Sequence, residues 1–185
     1  GYGGDSSSVA SSLTGVESIT GTDGAFAAIK SDGSVVTWGS SGYGGDSSSV
    51  ASSLTEVESI TGTDGAFAAI KSDGSVVTWG SSSYGGDSSS VASSLTGVES
   101  IAANDYAFAA IKSDGTVVTW GVSDYGGDSS SVASSLTGVE SIAGTGSAFA
   151  AIKSDGTVVT WGRSGHGGAR RSVASSRTGV EAITV

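Results

Sequence analysis

The sequence holds one histidine, His166, and so only one side chain whose ordinary pKa suits it to be a general base at neutral pH. Such a base needs a nucleophile within reach and a third group to orient it. The surrounding "SGHGGARR" offers only Ser164, in a glycine-rich turn. His166 also stands where Tyr43, Tyr84 and Tyr125 stand elsewhere, so it reads as a drifted Tyr position. There is no Cys, hence no thiolate nucleophile, disulfide or thiolate metal site. The aspartates of "GTDG", "SDG" and "GGDSSS" each put one carboxylate in a turn. Calcium takes about six to eight oxygens, several from closely spaced carboxylates, and none of these runs has that spacing. Asp32 and its equivalents read as turn residues, and Asp46 and its equivalents as caps of the segment that follows. No catalytic, metal-binding or cofactor-binding residue is assigned, and no cofactor is implied.

A different chemistry is open to an aromatic ring close to a carboxylate. Tyr43 with Asp46, Tyr84 with Asp87 and Tyr125 with Asp128 could stack on and hydrogen-bond a sugar, or meet a protein. Repetition would make such weak contacts multivalent. The structural alternative is that Tyr packs over an edge while Asp satisfies backbone donors. An active site gathers a few unlike groups in one place, whereas here almost every polar residue recurs in the same setting. The exceptions (Glu56, Asn104, Tyr106, Asp124, His166 and a group of Arg) are scattered and suggest no reaction, so the chain does not read as an enzyme.

The elements that position these residues are set by a repeat. Trp38, Trp79, Trp120 and Trp161 are 41 residues apart, as are Phe26, Phe67, Phe108 and Phe149. One array, 1–185, divides into units 1–41, 42–82, 83–123 and 124–164 and a partial unit 165–185; the first two units differ only at Gly15 against Glu56. Within a unit, "VESIT" (16–20), "AFAAIK" (25–30) and "SVVTWG" (34–39) read as strands. "GTDG" and "SDG" are the turns between them, the second being a hairpin signal that calls for positive φ at its centre. "AFAAI" and "VVTW" are apolar on both faces, so neighbouring units must cover both. The Trp is expected to stack against the next unit, and burying it contributes up to about 4–6 kcal/mol before entropy is subtracted. "YGGDSSSVASSLTG" favours a short helix or turn over a fourth strand. Val50 and Leu54 then lie on one side, and Gly97 or Gly138 marks its stop.

The expected fold is all-β: tandem meanders of three to four strands in the manner of β-propeller blades, with a β-solenoid as the alternative. "DGSVVTWG" followed by "YGGD" resembles the core signature of the regulator-of-chromosome-condensation repeat, and "VESITGTDGAFAAIKSDG" resembles the strand-turn-strand preceding it in that family. The likeness covers all four units, with Asp32, Gly33, Val35, Trp38 and Gly39 at one recurring spacing. It implies one propeller blade per repeat and a binding platform rather than a catalyst. The 41-residue unit is short for the family. Its rings commonly hold about seven blades, which four and a half units cannot complete. Nothing here matches the specialised loops of its nucleotide-exchange members, and the Trp is the ordinary blade Trp rather than a light-sensing cluster.

Formal net charge is −10. Residues 1–162 carry four Lys against 17 acidic side chains, while 163–185 carry Arg163, Arg170, Arg171 and Arg177 against Glu181. An acidic body argues against nucleic acid as partner and disfavours anionic membranes. The longest apolar run, "AFAAI", is too short to span a bilayer. The chain begins with Gly, as a processed chain or a segment of a longer one would. The expected function is a non-enzymatic scaffold or adhesive binding surface for a protein or glycan, in a larger protein that is extracellular or at the cell surface. The alternative is a self-assembling filament or solenoid subunit, joined through unpaired repeat ends. Arg177, where four units have Leu, is expected to face solvent and end the packed array.

Overall fold

A computed structural model describes residues 3–168. Each unit forms one antiparallel three-stranded meander, and the four sheets are separate. The first contains β1 (Val16–Gly21), β2 (Ala25–Lys30) and β3 (Val35–Gly39). The second contains β4 (Val57–Gly62), β5 (Ala66–Lys71) and β6 (Val76–Gly80). The third contains β7 (Val98–Ala103), β8 (Ala107–Lys112) and β9 (Val117–Gly121). The fourth contains β10 (Val139–Gly144), β11 (Ala148–Lys153) and β12 (Val158–Gly162). A solenoid would run continuous sheets along its axis; separate sheets stacked face to face are propeller blades. The basic segment that holds Arg170, Arg171 and Arg177 lies outside the described residues, and with it the expected solvent exposure of Arg177.

The register explains why both faces of the central strand are apolar. Phe26 pairs with Trp38 and Ala28 with Val36, so these four share one face; Ala25, Ala27 and Ile29 take the other. Between the first two blades, Ala25, Ala27 and Ile29 meet Phe67, Ala69 and Trp79, with Leu54 and Val57 completing the core. The same set recurs between the second and third blades and between the third and fourth. Each Trp stacks on the Phe of its own blade, centroids 5.2 Å apart in Phe67–Trp79, and in the second to fourth blades the pair faces the preceding blade rather than the following one. Trp79 Nε1 donates to Gly44 O at 3.0 Å, and Trp120 and Trp161 repeat the bond. The buried indole therefore leaves no donor unpaired.

The segment "SSVASS" before each first strand is a 3-10 helix, Ser48–Ser53 in the second unit, packed beside β6. Val50 and Leu54 both point into the core between blades. Thr37 Oγ1 and Ser47 Oγ, 3.0 Å apart, tie the start of this segment to the preceding blade. First strands of successive blades touch directly, while the 3-10 segment sits among the outer strands, so the blades fan apart as in a propeller. Next to it, Gly15, Gly97 and Gly138 have φ of 67°, 62° and 62°, and Glu56 at the same position has φ of 56°. At the "SDG" turn positive φ falls on the glycine alone, 75° at Gly33. Gly33 N donates to Lys30 O and Lys30 N to Ser34 O, a three-residue connection with a glycine bulge rather than a two-residue turn. The Asp32 carboxylate accepts from both Ser34 N (3.0 Å) and Ser34 Oγ (2.6 Å).

Candidate functional site

The tips of the first hairpins, residues 22–24 and their equivalents, gather on one face of the stack. Asp23 N donates to Asp64 O at 2.9 Å and Asp64 N to Asp105 O at 3.1 Å, which lines the tips up in a row. Each tip also holds the tyrosine segment that follows its blade. Thr22 Oγ1 donates to Tyr43 O (2.9 Å), Thr63 Oγ1 to Tyr84 O (2.8 Å) and Asn104 Nδ2 to Tyr125 O (2.6 Å). In this way the fold brings Tyr43, Tyr84 and Tyr125 to equivalent places on one face. A Cβ added at Gly24 would lie 3.0 Å from Tyr43 Cγ, and one at Gly65 would lie 2.8 Å from Tyr84 Cδ2, so those rings rest directly on glycine backbone.

The carboxylates proposed to accompany them serve the chain first. Asp46 Oδ1 accepts from Ser48 N and Asp87 Oδ1 from Ser89 N, both at 2.9 Å, and Asp128 Oδ1 from Ser130 N at 2.8 Å. These bonds brace the entry to the 3-10 helix and hold the carboxyls of Asp46 and Asp87 below the usual range. All three side chains are exposed. No hydrogen bond joins Tyr43 to Asp46 or Tyr84 to Asp87, whereas Tyr125 and Asp128 line one shallow groove with Asp124 and Arg163. The exposed His166 lies at the last described tyrosine position, where its carbonyl accepts from Thr145 Oγ1 at 3.4 Å. Among the described residues no group of three His, Cys, Asp or Glu side chains is placed to hold a metal ion.

Two residues that the sequence marked only as exceptions meet on this face. Tyr106, where earlier units have Gly24 and Gly65, enters between Tyr84 and Tyr125 with centroids at 5.2 and 4.4 Å. Arg163, where earlier units have Ser40 and Ser81, places its guanidinium 5.4 Å from the Tyr125 centroid and donates from Nη1 to Tyr125 Oη at 2.9 Å. The result is a ladder Tyr84–Tyr106–Tyr125–Arg163. Burial, then Tyr84 and Tyr125, and then Asp64 and Asp105 push the Tyr106 hydroxyl pKa up. Burial, followed by Asp105 and Asp23, raises that of Asp64. The signal for Tyr106 and Arg163 was their departure from an otherwise faithful repeat; their meeting depends on the blade stacking.

No protein-family model and no curated protein matches this sequence. Its structure is similar to human WBSCR16, with TM-score 0.58 and 16% identity over 80% of this chain and 47% of that one. It is similar to yeast RCC1 (Prp20) bound to Kap60, with TM-score 0.60 and 15% identity over 90% of this chain and 49% of the other. It is also similar to the CRINKLY WD40 ectodomain of the Arabidopsis thaliana receptor kinase ACR4, with TM-score 0.53 and 19% identity over 86% and 52%. The chain spans about half the length of these solved chains. At these identities the likeness is one of fold: an all-β array of propeller-like blades, RCC1-like proteins among its structural neighbours.

Proposed function

We propose that the chain is a non-enzymatic binding module of the RCC1-like repeat type, and that its hairpin-tip face, with Tyr43, Tyr84, Tyr106 and Tyr125, docks a protein or glycan partner. The observation that carries this reading is the ladder. Two of the few departures from the repeat converge on one exposed face and extend its aromatic surface there. Asp46, Asp87 and Asp128 border that face but are engaged by backbone N–H groups, so the rings rather than the carboxylates would supply the contact area. Prp20p of Saccharomyces cerevisiae, a structural neighbour, is described with its binding to Gsp1p and histones, in keeping with a propeller used as a platform. The acidic body disfavours nucleic acid and anionic membrane surfaces. A place in a larger protein, extracellular or at the cell surface, belongs to the same proposal. The test is binding to peptide and glycan arrays by the wild type and by a Tyr43→Ala/Tyr84→Ala/Tyr125→Ala variant of unchanged thermal stability. Signals lost in the variant support the reading; signals retained in full count against this face.

A second reading, self-assembly into a filament, draws on Ile19. It is 56% exposed on the first blade, although Ile60, Ile101 and Ile142 pack against preceding blades. Near-identical units make every such face complementary to the blade type that covers it elsewhere.

A further inference from the structure

Among the described residues three tyrosines occupy equivalent places, and the chain fills the space beside two of them. The space between Tyr84 and Tyr125 is taken by the ring of Tyr106. The space beyond Tyr125 is taken by the guanidinium of Arg163. Beside Tyr43 the corresponding positions are Gly65 and Ser81, two of the smallest side chains available. Among the described residues Tyr43 makes no ring contact with Tyr84 or any other aromatic, and it remains 37% exposed. This is an open copy of a slot that the chain closes elsewhere, once with an aromatic ring and once with a planar cation.

The surrounding charge separates those two chemistries. Tyr106 lies within the field of Asp64 and Asp105. By the same register the open slot lies between the tips that carry Asp23 and Asp64, whose backbones are joined at 2.9 Å. The position equivalent to Arg163 is Ser81 here, so the slot lacks the counterpart of that cation. A neutral ring would satisfy the tyrosine alone, whereas a guanidinium satisfies the tyrosine face and the carboxylates together.

Resting on the reading of this face as a binding surface, we propose that the slot between Tyr43 and the Tyr84 ring that covers Gly65, bordered by Ser81, receives an arginine side chain of a protein partner. The guanidinium lies on the Tyr43 ring as Arg163 lies on Tyr125, with Asp23 and Asp64 balancing its charge. Lysine carries the same charge without a planar face and fits less well.

The test uses the full chain and two capped pentapeptides, Gly-Arg-Gly-Arg-Gly and Gly-Lys-Gly-Lys-Gly, followed by NMR at the Gly65 and Ser81 amides. The arginine peptide should bind roughly threefold to tenfold more tightly than the lysine peptide, the range of one partly exposed cation–π contact. Ser81→Arg, which supplies the cation from within, and Tyr43→Ala should each reduce the arginine peptide to the level of the lysine peptide. Gly65→Tyr, copying the third unit, should do the same; thermal melts confirm that each variant is folded. Equal binding of the two peptides, absence of shifts at Gly65 and Ser81, or full arginine preference in Ser81→Arg overturns the proposal. If these fail while array binding still depends on the tyrosines, the binding-module reading stands and the arginine slot alone is lost.

Discussion

Glu56 is the one non-glycine residue with positive φ among the described residues, and the repeat supplies its own controls. Gly15, Gly97 and Gly138 hold the same position at nearly the same φ. The local backbone is fixed on both sides: Val57 N donates to Gly33 O at 3.0 Å, and Ser72 N to Glu56 O at 2.9 Å. A Cβ on Gly33 would come within 2.9 Å of Glu56 Cα, so the two turns touch and position 56 has no room to relax. A left-handed conformation costs a non-glycine residue about 1–2 kcal/mol. Glycine returns roughly 0.5–1 kcal/mol of that through its greater freedom in the unfolded chain. Glu56→Gly should therefore stabilise the protein by about 0.5–1 kcal/mol, or roughly 1–4 °C in Tm at this chain length. Urea unfolding followed by Trp fluorescence should show a higher midpoint at unchanged slope. The mirror variant Gly97→Glu should lose a similar amount. A Glu56→Gly variant that is less stable, or a Gly97→Glu variant as stable as wild type, would refute the assignment of strain to this position.

Trp79→Ala should cost about 3–5 kcal/mol, because it empties the core between the first two blades; the same urea titration reads it, and a loss under one kcal/mol contradicts that packing. Trp79→Phe, which keeps most of the ring area but leaves Gly44 O without its donor, should cost about 1–3 kcal/mol. Ala68, on β5, is fully buried against the third blade, so Ala68→Leu should destabilise by at least about 1–3 kcal/mol, and a neutral result would mean the blades separate easily. Two sets of carboxyls respond oppositely to acid. Hydroxyl donation by Ser34, Ser75, Thr116 and Thr157 lowers the folded-state pKa of Asp32, Asp73, Asp114 and Asp155, so their stabilisation is present above the unfolded value near 3.9 and fades as pH falls through the folded values. Burial, Asp105 and Asp23 raise that of Asp64, so its charge opposes folding at neutral pH and the penalty vanishes in acid. Asp64→Asn should thus raise the melting midpoint at pH 7 with a gain that disappears towards pH 3; a gain that persists there points to another cause.

Much of the blade could be read from residue types, because burial imposes it. "AFAAI" is apolar on both faces only because a neighbour covers each, and Asp32 serves its turn through Ser34. The side to which Trp79 points could not be read: a period of 41 is the same whichever neighbour is covered, and direction follows from register and sheet order. The site was legible only in part. Tyr43, Tyr84 and Tyr125 take equivalent places on one face, where Tyr84 and Tyr125 meet Tyr106 and Tyr125 also meets Arg163, neighbours that no local spacing indicates. Asp46 and Asp87 are turned towards the backbone of Ser48 and Ser89, which a local spacing cannot distinguish from turning towards a ligand. Tyr106 precedes Tyr125 by 19 residues, and the bonds from Asn104 Nδ2 to Tyr125 O and from Val122 N to Tyr106 O bring the two segments together.

Whether the array is a discrete platform or a unit of a filament is decided by its size in solution. Sedimentation velocity from micromolar to hundreds of micromolar, on a chain of 17.8 kDa, should give a single species whose sedimentation coefficient does not change with concentration. Species that grow steadily with concentration, and that Ile19→Glu returns to a single small form, would contradict the binding module and establish self-assembly through the blade faces instead.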